Sequence, residues 1–156
     1  MKKLTAEVTV WRDLLAYNSE ALFRIERDLN AAGAIPLAAY DVLIELETAA
    51  EKKLRMYDLS EACLLTKSGI TKIVNTLEKQ GLLRRERCPD DRRGFFAVIT
   101  AKGSFAVRKA WLVYKNCIQN YFISALSDGE IAQLGKILPK LRAHMPKNFT
   151  QAACAE

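Results

Sequence analysis

Between Thr66 and Thr100 the chain gathers side chains that donate hydrogen bonds or carry positive charge: Lys67, Ser68, Thr71, Lys72, Asn75 and Thr76, then Arg84, Arg85, Arg87, Arg92 and Arg93. The first group recurs at helical spacing and would line one side of a helix. Hydroxyls, an amide and ammonium groups on one face recognise anions and hydrogen-bonding edges; they do not by themselves break bonds. An arginine-rich hairpin directly after such a helix adds a second cationic element, and the pair suits a nucleic-acid groove. Catalysis finds no comparable concentration of groups. His144 is the single histidine, and the chain has neither a glycine-rich phosphate loop nor a His-Glu-x-x-His pair. Asp41, Glu45 and Glu47 offer carboxylates without a facing partner and read as a wet helix surface. Cys63, Cys88, Cys117 and Cys154 show neither CxxC spacing nor the density of a disulfide framework. They are therefore read as thiols, with no metal and no cofactor expected. Cys88 stands beside Arg87 and close to Arg92 and Arg93, surroundings that favour a thiolate, so a thiol-responsive switch is an alternative mode.

Those residues need a scaffold. Ile70, Ile73, Val74 and Leu77 fall at i, i+3, i+4 and i+7, the apolar back of the same helix, and Gly81 follows as its C′ residue. Leu82 to Arg87 and Phe95 to Thr100 read as strands joined by a turn from Cys88 to Gly94. Upstream, Asp58 is the expected N-cap of a short helix from Leu59 to about Cys63, Leu64 and Leu65 turn, and Thr66 caps the next helix. Lys52 to Tyr57 is too short and charged to predict an element. Leu37 to about Glu51 reads as an amphipathic helix. From Leu4 to Leu29 the apolar positions step by alternating fours and threes, a heptad seam interrupted by Asn18. Thr100 caps a long helix reaching about Leu126, with Phe105, Leu112, Val113, Cys117, Ile118, Tyr121, Phe122 and Ala125 as its apolar side. Ser127 to Glu130 is a capping box for a last helix, which Pro139 should kink or end early.

The bulk properties agree with one soluble domain. Of 156 residues, 50% are hydrophobic and 27% charged. No apolar run approaches the roughly 18 residues of a membrane-spanning helix, and the N-terminus lacks the apolar core of a signal peptide, so cytoplasmic residence is expected. The net charge of +6 is uneven: residues 1–50 carry 5 basic against 8 acidic side chains, and residues 66–93 carry 8 against 4. The positive field begins at the helix singled out above, which favours a polyanionic partner.

With these elements laid out, the chain resembles the MarR family of winged helix-turn-helix transcriptional regulators, over roughly 6–141. The likeness is carried by the run from Ser68 to Leu82, by Arg85, by Pro89-Asp90-Asp91-Arg92-Arg93-Gly94, and by Ile99-Thr100-Ala101-Lys102-Gly103. It implies a mainly α fold with a small β-hairpin wing: a winged helix-turn-helix with an intertwined helical dimerisation region. Residues 1–35 and 104–145 would form that region, 36–103 the DNA-binding domain, and 146–156 a flexible tail. A homodimer on double-stranded DNA is implied, acting as a repressor of a pseudo-palindromic operator and released by a small effector. In that mapping Thr66 and Lys67 lie near phosphates, and Ser68, Thr71, Lys72 and Asn75 face the major groove. Arg92 and Arg93 belong to the wing in the minor groove, with Asp91 pairing Arg93 so that Arg92 reaches out. Relatives bind small aromatic or anionic molecules between the dimer helices and the winged domain. Trp11, Tyr17, Tyr40 and Trp111 are the candidate lining here, with Arg12, Arg24 or Arg27 as the anion partner, although these aromatics serve equally well as core and seam. The competing reading is a winged-helix module for protein or RNA contact, which a DNA footprint would separate.

Overall fold

The computed structural model describes residues 5–63, 67–88 and 91–145, with the side chains at 67, 68 and 91–93 outside that description. Its elements run α1 (Ala6–Ala31), α2 (Leu37–Thr48), a 3-10 turn (Ala50–Lys52), β1 (Lys53–Arg55), α3 (Met56–Ala62), α4 (Lys67–Lys79), β2 (Leu83–Cys88), β3 (Asp91–Ile99), α5 (Ala101–Tyr121), a second 3-10 turn (Ile123–Ala125) and α6 (Asp128–His144). The strands form one antiparallel sheet in the order β1-β3-β2.

Two helices end by the same local device. After α1, Gly33 takes φ +57°, and its N–H and that of Ala34 return to the carbonyls of Asn30 and Leu29, both at 2.9 Å. After α4, Gly81 takes φ +71°, and its N–H and that of Leu82 return to Glu78 and Leu77, again at 2.9 Å. These are Schellman ends, where a left-handed residue lets the chain reverse and satisfies the last carbonyls. The Leu82 that follows is buried, as are Leu29, Leu43, Leu46, Leu59, Ile70, Val74, Leu77 and Leu83, which make the core between α1, α2, α3, α4 and the sheet. Truncating one of these leucines to Ala costs about 2–5 kcal/mol.

The start of α5 is bolted to the end of α4. The Thr100 hydroxyl accepts from the Gly103 N–H at 3.1 Å and donates to the Gly81 carbonyl at 2.8 Å. Lys102 reaches the Gln80 carbonyl at 2.7 Å, and the Thr100 N–H bonds Leu82 O at 3.1 Å. Along α5 the side packed on the chain is formed by Val107, Ala110 and Cys117, with Val113, Tyr114 and Tyr121 beside them. The capping box of α6 forms as expected, Ser127 and Glu130 bonding reciprocally.

Several sequence expectations change. Lys53–Arg55 is a strand, because Leu54 pairs with Ala97 on β3 while Lys53 and Arg55 lie over the Phe96 ring at 5.4 and 5.6 Å. Ala49 turns extended, with ψ 150°, and ends α2 at Thr48 rather than near Glu51; Glu51 and Lys52 then take positive φ, +57° and +55°. The short helix starts at Met56 with Arg55 in the cap position, so Asp58 sits inside its first turn, where a carboxylate still complements the helix dipole. The wing is longer than the turn chemistry suggested: β3 begins at Asp91, paired with Cys88 across an irregularity after Arg87. Pro139 does not stop α6, which loses one backbone bond there and continues to His144 on good helix formers. Phe105 and Leu112, expected on the apolar side of α5, are 64% and 59% exposed, whereas Val107, Ala110 and Cys117 face the chain. Glu47 is not simply wet: it accepts from the Ser104 hydroxyl at 2.5 Å and from Lys52 at 2.8 Å, which hold its carboxyl below the usual range. The expected tail, 146–156, lies outside the described residues.

Candidate nucleic-acid interface

The recognition-type helix α4 divides as the periodicity requires. Ile70, Val74 and Leu77 are buried at 2%, 0% and 1%, and Thr71, Lys72, Asn75 and Thr76 are exposed on the other side. Among the described residues Lys72 forms no ion pair, so its ammonium is available to an outside anion. Thr76 is less available, since its hydroxyl donates to the Lys72 carbonyl at 3.1 Å. Thr66 lies outside the described residues, and so do the side chains of Lys67 and Ser68; the backbone of both belongs to α4, whose N-terminal N–H groups favour a phosphate.

Asn75 has a partner that its spacing along the helix does not reveal. Arg85, on β2, places Nη2 2.6 Å from Asn75 Oδ1 and Nη1 2.5 Å from Glu78 Oε2. The Arg85 N–H also donates to Glu78 Oε1, at 3.2 Å. One part-buried guanidinium thus ties the front of α4 to the first strand of the hairpin, with a charge-assisted bond on each side. The other hairpin arginines differ: Arg84 pairs with Glu86, and Arg87 is exposed. The side chains of Asp91, Arg92 and Arg93, and with them the expected Asp91 to Arg93 pair, are outside the description. Cys88, the candidate redox thiol, is only 4% exposed, which restricts the access that an oxidant needs.

The aromatic candidates for a small-molecule site separate into groups. Tyr40 and Trp111 converge, both set edge-on to Tyr114 at ring distances of 5.3 and 6.2 Å. They border an open depression of about 380 Å³ between α2 and α5, completed by Ile44, Glu47, Val107 and Arg108. Trp11 and Tyr17 are elsewhere. Trp11 is 57% exposed on α1, and the Tyr17 hydroxyl donates to the Tyr121 carbonyl at 3.1 Å with its ring against Phe122. Nor do the expected anion partners reach the depression: Arg24 pairs with Glu20 and Arg27 with Asp28. The cation beside the aromatics is Arg108, three residues before Trp111 and so on the same helix face, a spacing legible in the sequence once Trp111 was singled out.

Comparison with known proteins agrees with this architecture. The family model described as MarR family matches residues 35–94. The transcriptional repressor MprA of Escherichia coli is 30% identical over 139 residues, spanning 89% of this chain and 78% of its own. The crystal structure of AbsC, a MarR family transcriptional regulator from Streptomyces coelicolor, is 31% identical and superposes with a TM-score of 0.84 over 92% of this chain and 97% of its own. Sco3205 from the same organism, a MarR family regulator solved in complex with DNA, is 27% identical with a TM-score of 0.87, covering 97% and 96%. The likeness in sequence and backbone runs along nearly the whole of this chain; the chain belongs to the MarR family of DNA-binding transcriptional regulators.

Proposed function

We propose that this chain is a homodimeric repressor, resident in the cytoplasm, that places one α4 in each of two successive major grooves of a pseudo-palindromic operator. In this reading Thr66 and Lys67 meet phosphates, Ser68, Thr71, Lys72 and Asn75 face bases, and the hairpin carries Arg92 into the minor groove with Arg93 held by Asp91. The observation that carries it is α4 itself, whose apolar back is buried at Ile70, Val74 and Leu77 and part-buried at Ile73 while its hydrogen-bonding front is exposed. Dimerisation is supported by what a single chain leaves uncovered. Val8, Trp11, Leu15 and Leu22 of the α1 seam, Phe105 and Leu112 of α5, and Leu138 and Leu141 of α6 are exposed, and α6 has no buried residue at all. Apolar surface of that extent marks an interface. We assign residues 1–35 and 104–145 to it and 36–103 to DNA binding.

Release by an effector is proposed at the depression between α2 and α5, where Tyr40, Trp111 and Arg108 offer two aromatic faces and a cation. An aromatic carboxylate matches that set by shape and charge. The test is selection of bound genomic fragments followed by gel shift with and without aromatic carboxylates. Enrichment of a two-fold symmetric site, with release weakened by Arg108→Ala, supports the reading. Absence of any enriched DNA would favour a winged-helix module for protein or RNA instead.

A further inference from the structure

We infer that Arg55, with Lys53 beside it, grips a backbone phosphate at the edge of each half-site, which makes the outer face of the β-sheet a DNA-contacting surface beside α4 and the hairpin. The inference rests on the reading of α4 as the groove-facing helix and adds a contact which that reading does not contain. Strand alternation defines the face. Leu54, Leu83, Ala97 and Ile99 turn to the core, so Lys53 and Arg55 of β1, Phe96 of β3, and Arg84 and Glu86 of β2 point the other way. The register sets three of them in one row, Arg55 opposite Phe96 and Phe96 opposite Glu86.

Charge on this face does not cancel. Arg84 donates twice to Glu86, at 2.5 and 3.1 Å, and the Lys53 ammonium lies 2.5 Å from Glu51. Arg55 is exposed and has no ion pair among the described residues. Its guanidinium rests over the Phe96 ring at 5.6 Å, with the Lys53 ammonium over the same ring at 5.4 Å. Attraction to a ring positions a guanidinium without using up its N–H donors, which stay available as a fork for phosphate. Two cations that share one ring repel each other, and Glu51 answers only Lys53, so an added anion is favourable here.

The duplex is the occupant because of what flanks Arg55 along the chain and across the sheet. Arg55 leads directly into α3, which packs against α4. In a helix-turn-helix this first helix crosses the backbone while its companion lies in the groove. Phe96, the residue across from Arg55, lies two positions after Gly94 on the hairpin strand β3. Arg55 thus stands between the two elements directed at DNA, where its charge neutralises a phosphate and carries no base preference.

The experiment is a salt titration of binding to a duplex selected from genomic DNA, using the full chain and the variants Arg55→Gln, Glu51→Gln and Lys67→Met, each checked by thermal melting. Arg55→Gln should flatten the slope of log affinity against log salt by about one unit per chain and leave base preference unchanged. In ethylation interference on the same duplex, one phosphate of each half-site should cease to matter for Arg55→Gln. A merely structural contact with Phe96 would lower the melting temperature and leave both slope and interference pattern as they were. That result, with Lys67→Met still flattening the slope, would overturn the inference and leave the groove reading intact. If neither variant flattens the slope, the groove reading falls and the inference with it. Should Arg55→Gln fail to fold, Glu51→Gln decides. The Glu51 side chain is 74% exposed, and neutralising it frees the Lys53 ammonium for phosphate, so the slope should steepen. An unchanged slope would overturn the inference.

Discussion

At Gly103 an added Cβ would lie 2.1 Å from the Leu82 carbonyl oxygen, a backbone atom that cannot turn aside, and 2.7 Å from Ile99 Cγ1. Gly103→Ala should therefore push α5 off the end of α4 and cost about 1–3 kcal/mol, read as a lowered urea midpoint, with operator affinity falling in step because the two helices are bolted there. A second residue-scale prediction concerns acid. Asp28 accepts from the Tyr121 hydroxyl at 2.5 Å and from Arg27 at 2.8 Å, and these bonds, Tyr121 first, hold its carboxyl below the ordinary aspartate range. A carboxylate whose folded value is depressed adds stability above its unfolded value, near pH 4, and loses it as pH falls through the folded value. Tyr121→Phe should flatten that acid limb in a melting-temperature profile; an unchanged limb would remove Asp28 from the account. At this scale the caps at Thr100, Gly81 and Ser127 were legible, because each closes a bond with a residue three positions away, although the Thr100 bond to the Gly81 carbonyl was not. Arg85 was not: its partners sit seven and ten residues back, and only the packing of strand on helix brings them together. The burial of Cys88 was not legible either, since neighbouring arginines in sequence say nothing about how far the fold covers the thiol.

Elements that contain their own signal were read closely. The Leu77 and Gly81 ends of α4, the heptad of α1 and the capping box of α6 all depend on local spacing. Of the elements made by pairing, the two hairpin strands were expected, but the edge strand and the hairpin's full length were not. Lys53–Arg55 is a strand only because β3 accepts it at the sheet edge, and the hairpin extends to Asp91 because strand pairing overrides a turn-rich composition. The wet face assigned to α2 was also incomplete, as Glu47 joins α2 to α5 through Ser104. For the α4 element the expected result is a separation of roles. Lys67→Met, at the first residue of α4, should weaken binding to every sequence and flatten the salt slope by about one unit, leaving base preference as it was. Thr71→Ala should instead change preference at one position with little change in salt slope. Selection and a salt titration on the same proteins measure both; a salt effect from both and a preference change from neither would take α4 out of the groove.

Over the whole molecule the uncovered apolar surface is the fact that most needs a partner, and apart from Tyr57 and Phe95 most of it lies on α1, α5 and α6, the helices proposed for dimerisation. Leu22 is 42% exposed in the single chain, so Leu22→Glu should leave the fold intact by circular dichroism and convert a sedimenting dimer to a monomer. In the proposed dimer, α5 is fixed to the end of α4 through Thr100, Lys102 and Gly103, so those helices would set the spacing between two copies of α4, and the proposed ligand site at Tyr40, Arg108 and Trp111 lies on the same α5. The most direct measurement is a hydroxyl-radical footprint on duplexes selected from genomic DNA, with the stoichiometry taken on the same complex by sedimentation. Two protected patches whose centres are about one helical turn apart, roughly 10 base pairs, with two chains bound, is the result this account predicts. A single patch bound by one chain, or no selected DNA at all, would contradict it.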